Sequence, residues 1–214
     1  MGTQHGAVLV LAAGSGSRFG SDKRLATIST GETLLSASIA AYAVLPWPLY
    51  VVLKDHEQLV QEQTEQALRQ AGVNLQPRWI IASDAALGMG HSLAAGATRL
   101  IKDGVTQALI GLGDMPFLQG ETIAACAAAL TQSQDSAGNA IVRPRHAGRP
   151  GNPVGFAGAR LADLQSASGD TGARPVLRSH AAAIHWLDVA DPGIHTDIDR
   201  PEDLSASAIP PGPN

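Results

Sequence analysis

The sequence predicts an α/β protein whose mostly parallel sheet is covered by helices on both faces. Two observations carry this expectation. Short β-branched runs, apolar on both faces, alternate with longer runs rich in Ala, Leu and Gln, and a glycine-rich loop leaves the first apolar run at its C-terminal end. The strands are read as GAVLVLA (6–12), LYVVLK (49–54), RWIIA (78–82), QALIGLG (107–113) and NAIVRP (139–144). Between them, TLLSASIAAYAVL, HEQLVQEQTEQALRQA, MGHSLAAGATRLI and GETIAACAAALTQ read as helices. After residue 144 the alternation loosens: NPVGF and AAIHWLDV are candidate further strands, one of them a candidate for antiparallel pairing. RPEDL opens a last helix, with Pro201 in its first turn and acidic residues just behind it. The stretch SASAIPPGPN reads as disordered. A chain of 214 residues without an internal repeat or linker is taken as one α/β domain, 1–204, followed by a tail, 205–214.

Composition narrows the classes of partner. A formal net charge of −4 and a charged fraction of 16% leave no basic stripe for a nucleic-acid backbone and no cluster for an acidic membrane, so a small-molecule partner is expected. The single cysteine, Cys126 in TIAACAAAL, has no partner for a disulfide or a thiolate metal site and reads as a small buried apolar residue. MGTQHG lacks the charged and apolar regions of a signal peptide and no apolar stretch reaches membrane-spanning length, which points to the cytoplasm.

The loop after the first strand, LAAGSGSRFGSDK, lies where open α/β sheets bind ligands. Gly14, Gly16 and Gly20 are spaced one residue wider than the dinucleotide fingerprint, and the acidic residue that fingerprint needs about 20 positions on is misplaced. A Walker A loop fails because Gly20 is followed by Ser21 and Asp22 rather than by Lys and Ser/Thr. What remains is either a glycine-rich turn with surface cations or a triphosphate cradle, its backbone N–H groups approaching phosphate oxygens while Arg18 and Lys23 neutralise them. Further on, Asp114 follows directly on the strand ALIGLG and is fixed there by Met115-Pro116. A carboxylate at that end of the sheet suits Mg²⁺, which takes one or two carboxylates plus phosphate oxygens and water. Asp197 and Asp199 alternate in HTDIDRPEDL and would share one face of an extended segment. Asp199 doubles as a candidate helix cap, so Asp197 is the stronger second metal ligand.

Taken together, LAAGSGSRFGSDK, ALGMGHSLAAG, GDMP, GRPGNPVGF, SGDTGAR and DIDRPEDL resemble, in this order, the molybdenum cofactor cytidylyltransferases. These are similar in turn to molybdenum cofactor guanylyltransferase and the nucleotide-sugar pyrophosphorylases. The likeness runs from about residue 7 to residue 204; the opening loop and GDMP mark the wider superfamily, and the later motifs narrow it. The resemblance implies a Rossmann-like nucleotidyltransferase fold, Mg²⁺ dependence, and transfer of CMP from CTP to the terminal phosphate of molybdopterin with release of pyrophosphate. It implies that Ala12, Ala13, Gly14 and Gly16 line the nucleotide, with Arg18 and Lys23 on its phosphates and Asp114 on Mg²⁺. Gly88, Gly90, Ser92 and Leu93 would face base and ribose, and His91 reads as a helix-start residue. Arg149, Asn152, Asp170 and Arg174 would serve the pterin phosphate, unless Asp170 and Arg174 form a loop-ordering ion pair. The guanylyl branch resembles LAGG where this chain has LAAG, which implies CTP over GTP. The same fold with GTP or a sugar phosphate, and a carrier that hands the cofactor to a recipient molybdoenzyme, are the competing readings.

Overall fold

The computed structural model describes residues 5–14, 19–29 and 31–204. Gly16, Arg18 and the tail 205–214 lie outside the described residues.

Four parallel strands come first in the chain: β1 (Gly6–Leu11), β2 (Leu49–Leu53), β3 (Arg78–Ile81) and β4 (Gln107–Leu112). β1 lies in the middle, paired in parallel with β2 on one side and β4 on the other, and β2 pairs with β3. The crossovers run through α1 (Leu34–Ala40), α2 (Gln58–Gln70) and α3 (Met89–Lys102). α4 (Gly120–Gln132) then leads into β5 (Ala140–His146). The alternating side chains of β1 show why both strand faces had to be apolar. Val8 and Val10 pack with Leu35 and Ile39 of α1, Val60 and Leu68 of α2, and Ile123 and Leu130 of α4. Ala7, Leu9 and Leu11 pack with Leu93, Ala97 and Leu100 of α3 on the opposite face. Cys126 is fully buried in the first of these layers, and burial pushes its thiol up to about 12.

The C-terminal third is mixed. β5 turns back through the two-residue strand β6 (Arg149–Pro150), and β7 (Val154–Ala157) inserts antiparallel between β4 and β5. β8 (Ile184–Asp188) runs parallel to β5 on its other side. Short helices α5 (Ala159–Asp163) and α6 (Arg174–Ser179) connect β7 to β8. The sheet order is therefore β3-β2-β1-β4-β7-β5-β6, with β8 on β5.

Three sequence expectations need correction. The first helix is α-helical only to Ala40 and tightens into a 3₁₀ turn over Ala41–Val44. NAIVRP continues to His146, because Arg145 and His146 pair with Pro150 and Arg149 across a hairpin. RPEDL forms a 3₁₀ turn, Pro201–Leu204, rather than the start of an α-helix within the described residues. No helix among the described residues is long and apolar enough to cross a membrane.

Candidate active site

A cleft of about 720 Å³ opens at the C-terminal ends of β1, β2 and β4. It sits where the chain order reverses around β1, the place at which open α/β sheets hold their ligands. One wall is the described part of the opening loop, Ala12, Ala13 and Gly14; the opposite wall is Leu112, Gly113 and Asp114. The extended segment after the 3₁₀ turn Pro192–His195 closes the cleft with Asp197 and Asp199. Their expected alternation is what the structure shows: Ile198 between them is 1% exposed and packs with Phe19, Ile28 and Leu34. The Ile198 N–H donates to the Asp114 carbonyl at 3.0 Å, which ties this segment to the end of β4.

Lys23 is held among these carboxylates. Its Nζ donates to Asp114 Oδ2 at 2.8 Å, to Asp199 Oδ1 at 3.1 Å and to the Ile198 carbonyl at 3.1 Å. Burial alone would lower the Lys23 pKa, but Asp114 and Asp199 outweigh it and hold the ammonium above its ordinary value. Burial pushes the Asp114 carboxyl up; Lys23 draws it back without cancelling the effect, and Asp197 and Asp199 add repulsion. Asp114 Oδ1 is buried and has no hydrogen-bond partner among the described residues. A buried, unpartnered carboxylate oxygen with a second carboxylate beside it is the donor set of a hard divalent cation, so Asp114 and Asp197 fit Mg²⁺. The Asp199 carboxylate goes to Lys23, and at the turn that follows Asp203 Oδ2 accepts from the N–H groups of Asp199 and Arg200.

Arg24, beside Lys23, is a residue the sequence reading passed over. It is 5% exposed and uses all its donors: Nε and Nη2 to Asp22 at 2.8 and 2.6 Å, Nη1 and Nη2 to Glu57 at 2.6 and 2.6 Å, and Nη1 to the Ala12 carbonyl at 2.8 Å. Burial works against the guanidinium charge, yet Asp22 and Glu57 raise its pKa well above the usual value. Burial also opposes the Asp22 charge, and Arg24 overcomes this to hold that carboxyl below its ordinary value. Glu57 further accepts from the Lys54 N–H at 3.1 Å, so one buried network pins the opening loop to the ends of β1 and β2. Lys54 and Met89 also line the cleft, again unforeseen.

The GMGHSL stretch divides. Gly88 and Ser92 line the cleft, and the His91 N–H bonds the Gly88 carbonyl at the start of α3. Leu93 instead is 1% exposed in the core against the sheet, because its helical position faces β1. Gly90 is a packing glycine: a Cβ there would stand 2.5 Å from the Ser168 carbonyl. Gly88, at φ 122°, has the same role against the next residues, where a Cβ would stand 2.5 Å from Asp170 Oδ1. GMGHSL and SGDTGAR are thus two halves of one wall.

The four residues expected on the acceptor side also separate. Asp170 lines the nucleotide-sized cleft, whereas Arg174 lines a second cavity and forms no ion pair with it. Arg149 and Asn152 line neither cavity. They buttress the segment that carries Asp197: His195 Nε2 bonds the Arg149 carbonyl at 2.9 Å, and the Asn152 N–H donates to the Ile194 carbonyl at 3.1 Å.

Known proteins share this framework. Bifunctional protein GlmU of Mycobacterium ulcerans (strain Agy99) is 40% identical over 125 residues, 55% of this chain and 24% of that protein. The chain therefore spans about a quarter of the length of the curated relatives it matches. Rv0371c of Mycobacterium tuberculosis H37Rv, solved in complex with manganese, superposes with a TM-score of 0.72 at 20% identity, covering 95% of this chain and 97% of that one. Molybdopterin-guanine dinucleotide biosynthesis protein A of Archaeoglobus fulgidus superposes with a TM-score of 0.60 at 18% identity, covering 94% and 95%. At such identities the two structures establish the fold. The family model for the MobA-like NTP transferase domain matches residues 8–184, from the strand that feeds the glycine loop, through Asp114, to the first residue of β8. The chain accordingly belongs to the MobA-like NTP transferase domain family.

Proposed function

We propose that this protein transfers CMP from CTP to the terminal phosphate of molybdopterin and releases pyrophosphate. The observation that carries the reaction type is the Lys23–Asp114 pair with its unpartnered Oδ1, facing the glycine loop across the cleft. A phosphate monoester is already an anion near neutral pH, so its attack on the α-phosphorus needs no general base, and positioning with charge neutralisation suffices. Asp114 and Asp197 would hold Mg²⁺, whose charge offsets that of the triphosphate and the leaving pyrophosphate. Lys23 holds its proton and supplies a fixed positive charge where negative charge grows. Arg18 would add a second cation to the phosphates, as the sequence resemblance implies. Ala12, Ala13 and Gly14 wall the nucleotide side.

The choice of CTP is supported by Ala13, which is 8% exposed and lines the cleft. Its methyl group tightens a wall that is glycine in the guanylyl branch and disfavours the larger purine by overpacking. A methyl-sized difference is worth about 1 to 3 kcal/mol, so the preference is modest. The test incubates the protein with Mg²⁺, each NTP in turn and molybdenum-loaded molybdopterin, and measures pyrophosphate and the dinucleotide product. A kcat/KM for CTP at least severalfold above that for GTP is expected. Equal values or a GTP preference assign the protein to the guanylyl reading; turnover only with a sugar phosphate replaces the pterin; tight pterin binding without pyrophosphate makes it a carrier for a molybdoenzyme.

A further inference from the structure

A second cavity, about 470 Å³, lies between α6, β5 and the start of β8. Three guanidinium groups line it: Arg174 and Arg178, one helical turn apart on α6, and Arg143 on β5. Its floor is apolar, made by Leu177 and Ile184, and Thr171 closes one side. Nearby arginines show what is unusual here. Arg145 is paired with Asp188 at 2.6 Å and Arg160 with Asp163 at 3.3 Å. None of Arg143, Arg174 and Arg178 has a carboxylate within 4.0 Å among the described residues. Among the described residues, these three guanidinium groups make one hydrogen bond, Arg143 Nε donating to the Gly151 carbonyl at 3.3 Å. Burial and the neighbouring Arg174 both press the Arg143 pKa down, the signature of like charges gathered without a counterion. This occurs in a chain whose formal net charge is −4.

We propose that this cavity is a second ligand site, separate from the nucleotide cleft, that takes a phosphate monoester carried on an apolar or planar body. Guanidinium forks match phosphate oxygens two at a time, and the apolar floor accepts what a bare inorganic ion would leave uncovered. The wall between the two sites is a single 3₁₀ turn, Gly169–Thr171: Asp170 faces the nucleotide cleft and Thr171 faces the cationic cavity. A phosphate seated on the arginines therefore lies one turn of chain away from the nucleotide. Two sources share this chemistry, the acceptor of the transfer reaction and a free phosphate ester acting as effector; the acceptor source rests on the function proposed above, and the anion site itself does not.

Inorganic phosphate is the probe, titrated calorimetrically into the full-length chain at low ionic strength. Arg174 and Arg178 are exposed, so Arg174→Gln/Arg178→Gln keeps the fold, checked by circular dichroism, and Arg178→Gln alone serves as the milder variant. Phosphate affinity is expected to fall tenfold or more in the double variant and to persist in Lys23→Ala, which alters only the nucleotide cleft. Unchanged affinity in the double variant, or loss in Lys23→Ala alone, overturns the site. In turnover assays, a raised KM for the acceptor with kcat and the KM for NTP retained in Arg178→Gln identifies the acceptor as the source. Loss of modulation by added phosphate, with the acceptor KM unchanged, identifies an effector.

Discussion

Lys23 and Arg24 are adjacent in the chain, both are withdrawn from solvent, and both sit between two carboxylates, yet the two assemblies are built to opposite ends. Around Arg24 every donor has an acceptor: Asp22, Glu57 and the Ala12 carbonyl take all of them at 2.6 to 2.8 Å. Around Lys23 the acceptors outnumber the need. Asp114 keeps one buried oxygen empty, Asp197 stands beside it, and the Asp199 side chain is 53% exposed. A closed network has nothing left to give a ligand and serves to fix the backbone, whereas an open one retains charge and lone pairs for a metal and a substrate. The difference separates a cation that holds the loop in shape from one left beside open lone pairs, the cation proposed above to act.

Substitutions can break that distinction. The largest effect is expected from Asp114→Ala, which removes the empty oxygen: pyrophosphate release should fall by at least about 10⁴-fold, more than ~5 kcal/mol of transition-state stabilisation. Its circular dichroism and thermal midpoint should stay close to those of the parent, because the carboxylate is only partly satisfied in the fold. A folded variant with full activity would show that the open network is structural after all. Arg24→Ala comes next and acts the other way. Leaving Glu57 buried beside a lost partner should cost about 3 to 5 kcal/mol of stability in urea titrations. A loss of activity at unchanged stability would move Arg24 from the framework to the reacting groups. Lys23→Ala should slow the single-turnover rate by about 10² to 10³ while nucleotide affinity changes less. If affinity alone falls, Lys23 is a triphosphate clamp. The smallest effect belongs to Asp199→Ala, an exposed partner of Lys23 worth about 0 to 1 kcal/mol in stability; a loss of metal affinity as large as that of Asp197→Ala, measured by Mn²⁺ titration, would make it a ligand.

The strand framework was legible because β1, β2 and β4 are short apolar runs buried on both faces; β3 is an edge strand whose Ile81 stays exposed, and the observed ends of all four differ from the expected ones by one residue. Asp114 was legible for a related reason: a carboxylate immediately after such a run has only the sheet's ligand end to occupy. The Arg24 network was not. Glu57 is 33 residues away, and in KDHEQL it reads as an acidic residue opening an amphipathic helix. Only the packing of two crossover loops against the same strand end brings the pair together. The glycines of GMGHSL were legible only in part: Gly88 does line the cleft, but a glycine kept for close backbone approach looks the same in sequence as one kept for a ligand. Here Ser168 and Asp170 are what approach Gly90 and Gly88. Short helices such as α5 and α6 carry too few turns for periodicity to mark them.

The segment that brings Asp197 and Asp199 to the cleft is fastened at both ends. Asp191, 1% exposed, accepts from the N–H groups of Gln119 and Gly193, and the Ile198 N–H is bonded to Asp114. At the second anchor Asp197, Ile198 and Asp199 alternate, carboxylates toward the cleft and isoleucine toward the core. Adding or deleting one residue between the anchors would reverse these three side chains, driving the carboxylates toward Phe19 and Leu34 and the isoleucine into the cleft. The stretch therefore works as a gauge of fixed length: insertions and deletions can accumulate in the hairpin turn before Arg149, where Ala147 and Gly148 are exposed, but between Asp191 and Asp199 the residue count itself is what a functional sequence must keep.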